Sequence, residues 1–193
     1  LINEDGRLIS QYDKIRLLPF GEYVPLPQWL PGASLIRGLV GDFTPGTRYT
    51  VMPIGAVRAG VFICIESAYP SIARRLSYGG AGLLINISND GYLGPTAVMR
   101  QHLSNAVFRA VENGREVLRV TNSGITADIR PDGLVQQPTE AFKPDVRTWT
   151  INPALARETF YTRHGDLFVA FCVALSLAAV SLSLLGRNKH SAI

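Results

Sequence analysis

The chain has 193 residues, enough for one domain and little more. Hydrophobic residues make up 47% and charged residues 18%, and the mean hydropathy is positive, a balance that suits a globular core plus something more apolar. The net charge of +4 comes from scattered basic residues with no aromatic-interleaved stripe, which argues against a nucleic-acid partner.

The chain opens on Leu1-Ile2-Asn3, with no initiator methionine and no signal-like segment, so it reads as the C-terminal piece of something longer. Asn3-Glu4-Asp5-Gly6 is a turn signal, and Arg7 to Tyr12 alternates enough to be a strand leaving it. Four prolines between Pro19 and Pro31 exclude a helix there. Trp29, Leu30, Leu35, Ile36, Leu39 and Val40 then make a long apolar loop. It either lies on a membrane surface, with Trp29 at the headgroup level, or packs on the domain core. Tyr49 to Met52 reads as a strand, and Val61-Phe62-Ile63 as a buried strand that ends on Cys64. A helix follows from Pro70 to about Tyr78, closed by Gly79-Gly80. Leu83 to Ile87 is a second buried strand, followed by the loop Ser88 to Gly94. A long helix runs from about Thr96 to Asn113, with Gly114 as its stop and Val98, Leu103, Ala106, Val107, Ala110 and Val111 as its apolar stripe. Glu116 to Val120 is a strand, Asn122-Ser123-Gly124 turns into a strand at Ile125 to Ile129, Pro131-Asp132-Gly133 is a tight turn, and Val146 to Ile151 reads as one more strand. This order implies the α/β class, a layered domain on a mixed sheet that fills residues 1–160. From Leu167 to Leu185 no charge occurs, and the 19 residues are long enough to cross a bilayer. A transmembrane helix is therefore expected within residues 166–186, with a short tail at 187–193.

The chemistry centres on Cys64. A thiol at a strand end beside a turn into a helix sits where α/β folds place reactive groups, near backbone N–H donors. The alternative is a buried structural cysteine, since unpaired Cys is among the most buried residue types. Lys14 is a candidate cation for an oxyanion, and Glu22 and Glu66 are candidate acid–base or orienting carboxylates, although isolated Lys and Glu are usually solvated surface groups. His102 falls in mid-helix and reads as a polar helix-face residue rather than a partner of Cys64. No CxxC, HExxH or glycine-rich phosphate loop occurs, so no metal, nucleotide or other cofactor is expected.

These residues resemble a family. Tyr12-Asp13-Lys14 with Leu18-Pro19-Phe20-Gly21-Glu22-Tyr23-Val24-Pro25 is similar to the lysine motif of the carbon–nitrogen hydrolase (nitrilase) superfamily, in particular of its membrane branch, the apolipoprotein N-acyltransferases. Ile63-Cys64-Ile65-Glu66 resembles the nucleophile segment, with Ile65 where the branch usually has tyrosine. Asn86-Ile87-Ser88-Asn89-Asp90-Gly91-Tyr92-Leu93-Gly94 resembles a loop in which Tyr92 and Leu93 replace a Trp-Phe pair. Gln101-His102, Arg109-Ala110-Val111-Glu112 and Thr121-Asn122-Ser123-Gly124-Ile125-Thr126 also fit, so the likeness covers nearly the whole chain.

The resemblance implies part of an αββα sandwich followed by one transmembrane helix. It implies a Glu–Lys–Cys mechanism in which Cys64 takes an acyl chain from a phospholipid and passes it to the α-amine of a diacylated apolipoprotein. Lys14 carries over as the triad lysine, Cys64 as the nucleophile, and Glu66 and Glu22 as supporting carboxylates. Ile65, Ser88, Asn89 and Tyr92 carry over to substrate binding. The family's glutamate base lies upstream of the lysine motif, where this chain has only Glu4, so residues 1–193 alone are expected to be inactive. The implied place is the bacterial inner membrane with the Cys64 domain on the extracytoplasmic side, and Arg187, Lys189 and His190 after the span favour a cytoplasmic tail. Two other readings remain: a soluble-type amidase of the same superfamily, which the apolar loop and span argue against, and a membrane-anchored binding domain without catalysis, which the joint presence of Lys14 and Cys64 argues against.

Overall fold

The computed structural model describes residues 1–27, 29–30, 43–91, 94–152 and 156–190. Six strands form one sheet in chain order: β1 (Val51–Ile54), β2 (Val57–Ile63), β3 (Leu83–Ser88), β4 (Glu116–Thr121), β5 (Ala127–Ile129) and β6 (Val135–Gln136). β2, β3 and β4 are parallel, and the outer pairings are antiparallel. Parallel neighbours need crossover connections, which helices α1 (Pro70–Tyr78) and α2 (Ala97–Asn113) supply. Gly114 ends α2 in the left-handed conformation, with φ of 59°, which a residue without Cβ adopts at no steric cost.

Both helices lie on one face of the sheet. Phe62, Leu84, Val117, Ala127 and Ile129 point into that layer and pack with Ile72, Ala73, Leu76, Ala106 and Ala110. On the opposite face Val61 and Met52 pack with Tyr12, and Ile15, Ile63 and Ile85 join them. Further along that face Ile54, Ile87 and Val120 are exposed. The parallel strands therefore run apolar on both sides, with the second face covered, among the described residues, only where Tyr12 and Ile15 lie on it. Their C-terminal ends line up at one edge, which brings Cys64, the Ser88–Asn89 turn and Asn122 together.

Two expected strands are absent. Arg7 to Tyr12 makes only the single bridge Ile2↔Leu8 around its turn, because no neighbouring strand is there to extend it, and Leu8 and Ile9 are exposed. Val146 to Ile151 forms no strand of the sheet, and Val146 is 91% exposed. β6 itself, and the short helix α3 (Phe160–His164) capped by Thr159, lie in segments too short to show periodicity. Of the apolar loop, Trp29 is 80% exposed rather than packed on the core, and Leu35, Ile36, Leu39 and Val40 lie outside the described residues. The final helix, α4 (Leu167–His190), has a stretch Leu167–Leu184 long and apolar enough to cross a membrane, and none of that stretch is buried against the domain.

Candidate active site

β2 delivers Cys64. The residue opens a 3-10 turn, Cys64–Ala68, and sits at φ of 53°, a conformation that strains a non-glycine residue by about 1–3 kcal/mol. Such strain persists only where neighbours enforce it, and two buried groups do so here. Glu66 folds back to accept from the Ile63 N–H at 2.6 Å. From α2, Arg109 donates to the Ser67 carbonyl at 3.1 Å and pairs with Glu112 at 2.7 Å. Cys64 itself is 5% exposed and forms no disulfide.

The same carboxylate ties in the lysine segment. Glu66 is fully buried and accepts from Ile15 N at 2.7 Å, Arg16 N at 3.0 Å and the Tyr12 hydroxyl at 3.0 Å. Burial, reinforced by the Glu66 carboxylate, pushes the Tyr12 hydroxyl well above its ordinary value, so it stays a donor. With every acceptor site turned to these donors, Glu66 is a clamp that fixes residues 12–16 to the end of β2. Lys14 then reaches Glu22, whose two oxygens both lie 2.7 Å from Nζ, and Glu22 is held by the Leu18 N–H at 2.8 Å.

These groups converge on a pocket of about 420 Å³ lined by Lys14, Glu22, Cys64 and Asn89, with Leu18, Ile63 and Phe43 as apolar walls. Three of the four catalytic candidates thus share one cavity, and the fourth, Glu66, lies behind it. Of the binding candidates only Asn89 lines the pocket. Its Oδ1 accepts from Gly91 N at 3.0 Å and Asn122 Nδ2 at 2.7 Å, which fixes the amide. Ser88 is buried and donates to Asp90 at 2.6 Å, Ile65 is half-buried in the 3-10 turn outside the pocket lining, and Tyr92 lies outside the described residues. A thiol, an ammonium held by a carboxylate, and a fixed amide around an apolar-walled cavity are the parts of nucleophilic acyl transfer. Among the described residues no cluster of metal-ligating side chains occurs.

The Carbon-nitrogen hydrolase family profile matches residues 1–161. The chain belongs to the carbon–nitrogen hydrolase family. It is 36% identical over 190 residues to an apolipoprotein N-acyltransferase of Geobacter metallireducens, covering 98% of this chain and 36% of that protein. It is 34% identical to the enzyme of the same name from Thermotoga maritima, covering 98% of this chain and 38% of the relative. The chain thus spans little more than a third of the length of these curated relatives. Among solved structures, an amidase from Nesterenkonia sp. aligns with a TM-score of 0.54 at 20% identity, over 75% of this chain and 50% of that one. A nitrilase-superfamily protein of Saccharomyces cerevisiae aligns with a TM-score of 0.53 at 21% identity, over 74% and 48%. The fold is therefore the nitrilase fold.

His102, read as a polar helix-face residue, is buried on α2, with Nδ1 3.4 Å from Asp90 Oδ1. Sequence reasoning also left Asp90, Arg119 and Asn86 without roles, and all three are buried beneath the site. The signal for Arg119 was present, since it is a charge in the middle of a parallel strand, between Leu118 and Val120.

Proposed function

We propose that this domain performs the acyl transfer of lipoprotein maturation. The carrying observation is the pocket that joins Cys64 to the Lys14–Glu22 pair between apolar walls. The high identity to apolipoprotein N-acyltransferases over 98% of the chain supports the choice of reaction within the family. In the first half-reaction the Cys64 thiolate attacks an ester carbonyl of a phospholipid. A C–S bond forms, the ester C–O bond breaks, and the lysophospholipid leaves with a proton. In the second, the α-amine of a diacylglyceryl-cysteine attacks the thioester. A C–N bond forms, the C–S bond breaks, and the thiol is restored.

Lys14, steered by Glu22, stabilises the oxyanion of each tetrahedral intermediate. Asn89, whose Oδ1 is already engaged, offers its Nδ2 as a second donor. The Leu18, Ile63 and Phe43 walls suit an acyl chain. We further propose that α4 crosses the bacterial inner membrane, with the Cys64 domain on the extracytoplasmic side and exposed Trp29 at the lipid surface. The glutamate base that removes the thiol proton is then supplied from outside these residues, because Glu22 is committed to Lys14 and Glu66 to four donors.

The test is the full-length protein in detergent with phospholipid and a diacylated lipopeptide. The expected product is the lipopeptide heavier by one acyl chain. Release of free fatty acid with no acylated peptide would instead support a hydrolase.

A further inference from the structure

Beneath the pocket runs a buried polar chain that the reaction above does not use. It starts on β2, where the Phe62 carbonyl accepts from Asn86 Nδ2 at 3.3 Å. Asn86 on β3 accepts in turn from Arg119 Nη1 on β4, its direct register partner. Arg119 Nη2 pairs with Asp90 at 2.7 Å in the loop after β3. Asp90 also accepts from the Ser88 hydroxyl at 2.6 Å and faces His102 of α2. Its backbone N–H is held by Asn122 at 2.9 Å, the residue that also holds Asn89. The loop after β4 closes over this hub so tightly that a Cβ on Gly124 would lie 2.1 Å from Asp90 Oδ2. One chain thus connects the strand that ends on Cys64 to the loop that carries Asn89.

Its centre is an expensive object. Arg119 is fully buried, and its Nε has no hydrogen-bond acceptor. A guanidinium taken wholly out of water destabilises a fold unless its partners compensate, and apolar side chains of similar volume often serve stability as well. Burial lowers the Arg119 pKa, while Asp90 and then Cys64 act on it electrostatically and oppose that fall. Burial also disfavours the Asp90 carboxylate, yet the bonds from His102 and Ser88 and the Arg119 charge outweigh it and hold Asp90 below the usual carboxylate range.

We propose that Arg119 is a positioning residue for the acyl transfer: its guanidinium fixes the strand end that carries the nucleophile, Cys64, and the Asn89 loop to each other. The inference rests on Cys64 being that nucleophile. It is tested by a reaction that needs neither lipid nor lipoprotein, alkylation of Cys64 by iodoacetamide in the full-length protein with Cys172 replaced by Ser. Arg119→Met is expected to slow alkylation at pH 7 about tenfold or more, because the strand end and the Asn89 loop are no longer held to each other. Arg119→Lys, which keeps a donor for Asp90, is expected to recover the rate to within about threefold. A merely structural role would lower the melting temperature of both variants and leave the alkylation rate of the folded protein within twofold of the parent, and that result overturns the proposal. Should Arg119→Met fail to melt cooperatively, Asn86→Ala removes one anchor of the guanidinium, and a pH 7 rate within twofold of the parent overturns the proposal. Absence of acyl transfer by the parent protein would overturn the function proposed above without altering these rates.

Discussion

Glu66 distinguishes a clamp from a chemical participant, and Glu66→Gln is the perturbation that separates them. The carboxylate accepts from four donors: Tyr12 Oη, Ile15 N, Arg16 N and Ile63 N. A glutamine keeps one acceptor oxygen. Its best orientation leaves that oxygen on Ile15 and Arg16 and turns Nε2 toward Tyr12 and Ile63. The Tyr12 hydroxyl can rotate to accept, but the Ile63 N–H then faces another donor. One buried N–H left unsatisfied costs about 1–3 kcal/mol. Losing the charge from the two remaining bonds adds about 1–2 kcal/mol, since charge-assisted bonds are roughly twice as strong as neutral ones. The total, about 2–5 kcal/mol, is a large share of the roughly 5–15 kcal/mol that holds a domain together. In a domain of this size it lowers the melting temperature by about 5–20 °C. Thermal unfolding of the full-length variant followed by near-ultraviolet circular dichroism reads this directly. Below its melting range the variant is expected to keep acyl transfer within about tenfold of the parent, because Cys64, Lys14 and Glu22 remain in place. A variant that melts with the parent yet loses more than about a hundredfold in rate would refute the clamp, since one lost group acting on the transition state has that signature.

Other outcomes follow from the same structure. Lys14→Ala should cut the rate about 10²- to 10³-fold, as loss of one oxyanion donor does, and a change under tenfold would remove Lys14 from that role. Burial, with the neighbouring Asp128, pushes the Glu116 carboxyl up to about 7 from 4.5. The folded state therefore holds this proton more tightly than the unfolded one, so stability falls as pH rises from about 4.5 to about 7. Glu116→Gln should remove that fall in urea titrations across this range, and an unchanged slope would contradict the assignment. Gly124→Ala should cost about 1–3 kcal/mol by overpacking against Asp90, read as a lower urea midpoint at unchanged m-value. Residues 1–193 expressed alone should transfer no acyl chain to a diacylated lipopeptide. Turnover that survives both Glu22→Gln and Glu66→Gln in that chain would show that no further base is needed.

Much of this was legible in the sequence because the informative signals were local. Val61-Phe62-Ile63 and Leu83 to Ile87 could hardly be anything but buried strands, and Pro70 and Gly79 bracket α1 within a residue. Strand ends and the family likeness together brought Cys64, Lys14, Glu22 and Asn89 to one cavity. What stayed hidden depends on tertiary partners. Arg7 to Tyr12 and Val146 to Ile151 alternate like strands but join no strand of the sheet, and alternation alone supplies no partner. His102 read as a polar helix-face residue, and nothing in its helix reveals that Asp90 covers it from a loop 12 residues away. Glu66 looked catalytic beside Cys64, and its four donors come from its own strand end and from a segment some 50 residues upstream.

The central claim is that Cys64 carries the acyl group. Intact-mass and peptide mass spectrometry of the full-length protein, incubated with phospholipid and no acceptor, tests it most directly. The account predicts a gain of one acyl chain on the Cys64 peptide, released by hydroxylamine and absent from Cys64→Ala. A hydroxylamine-sensitive acyl group that persists in Cys64→Ala would contradict it.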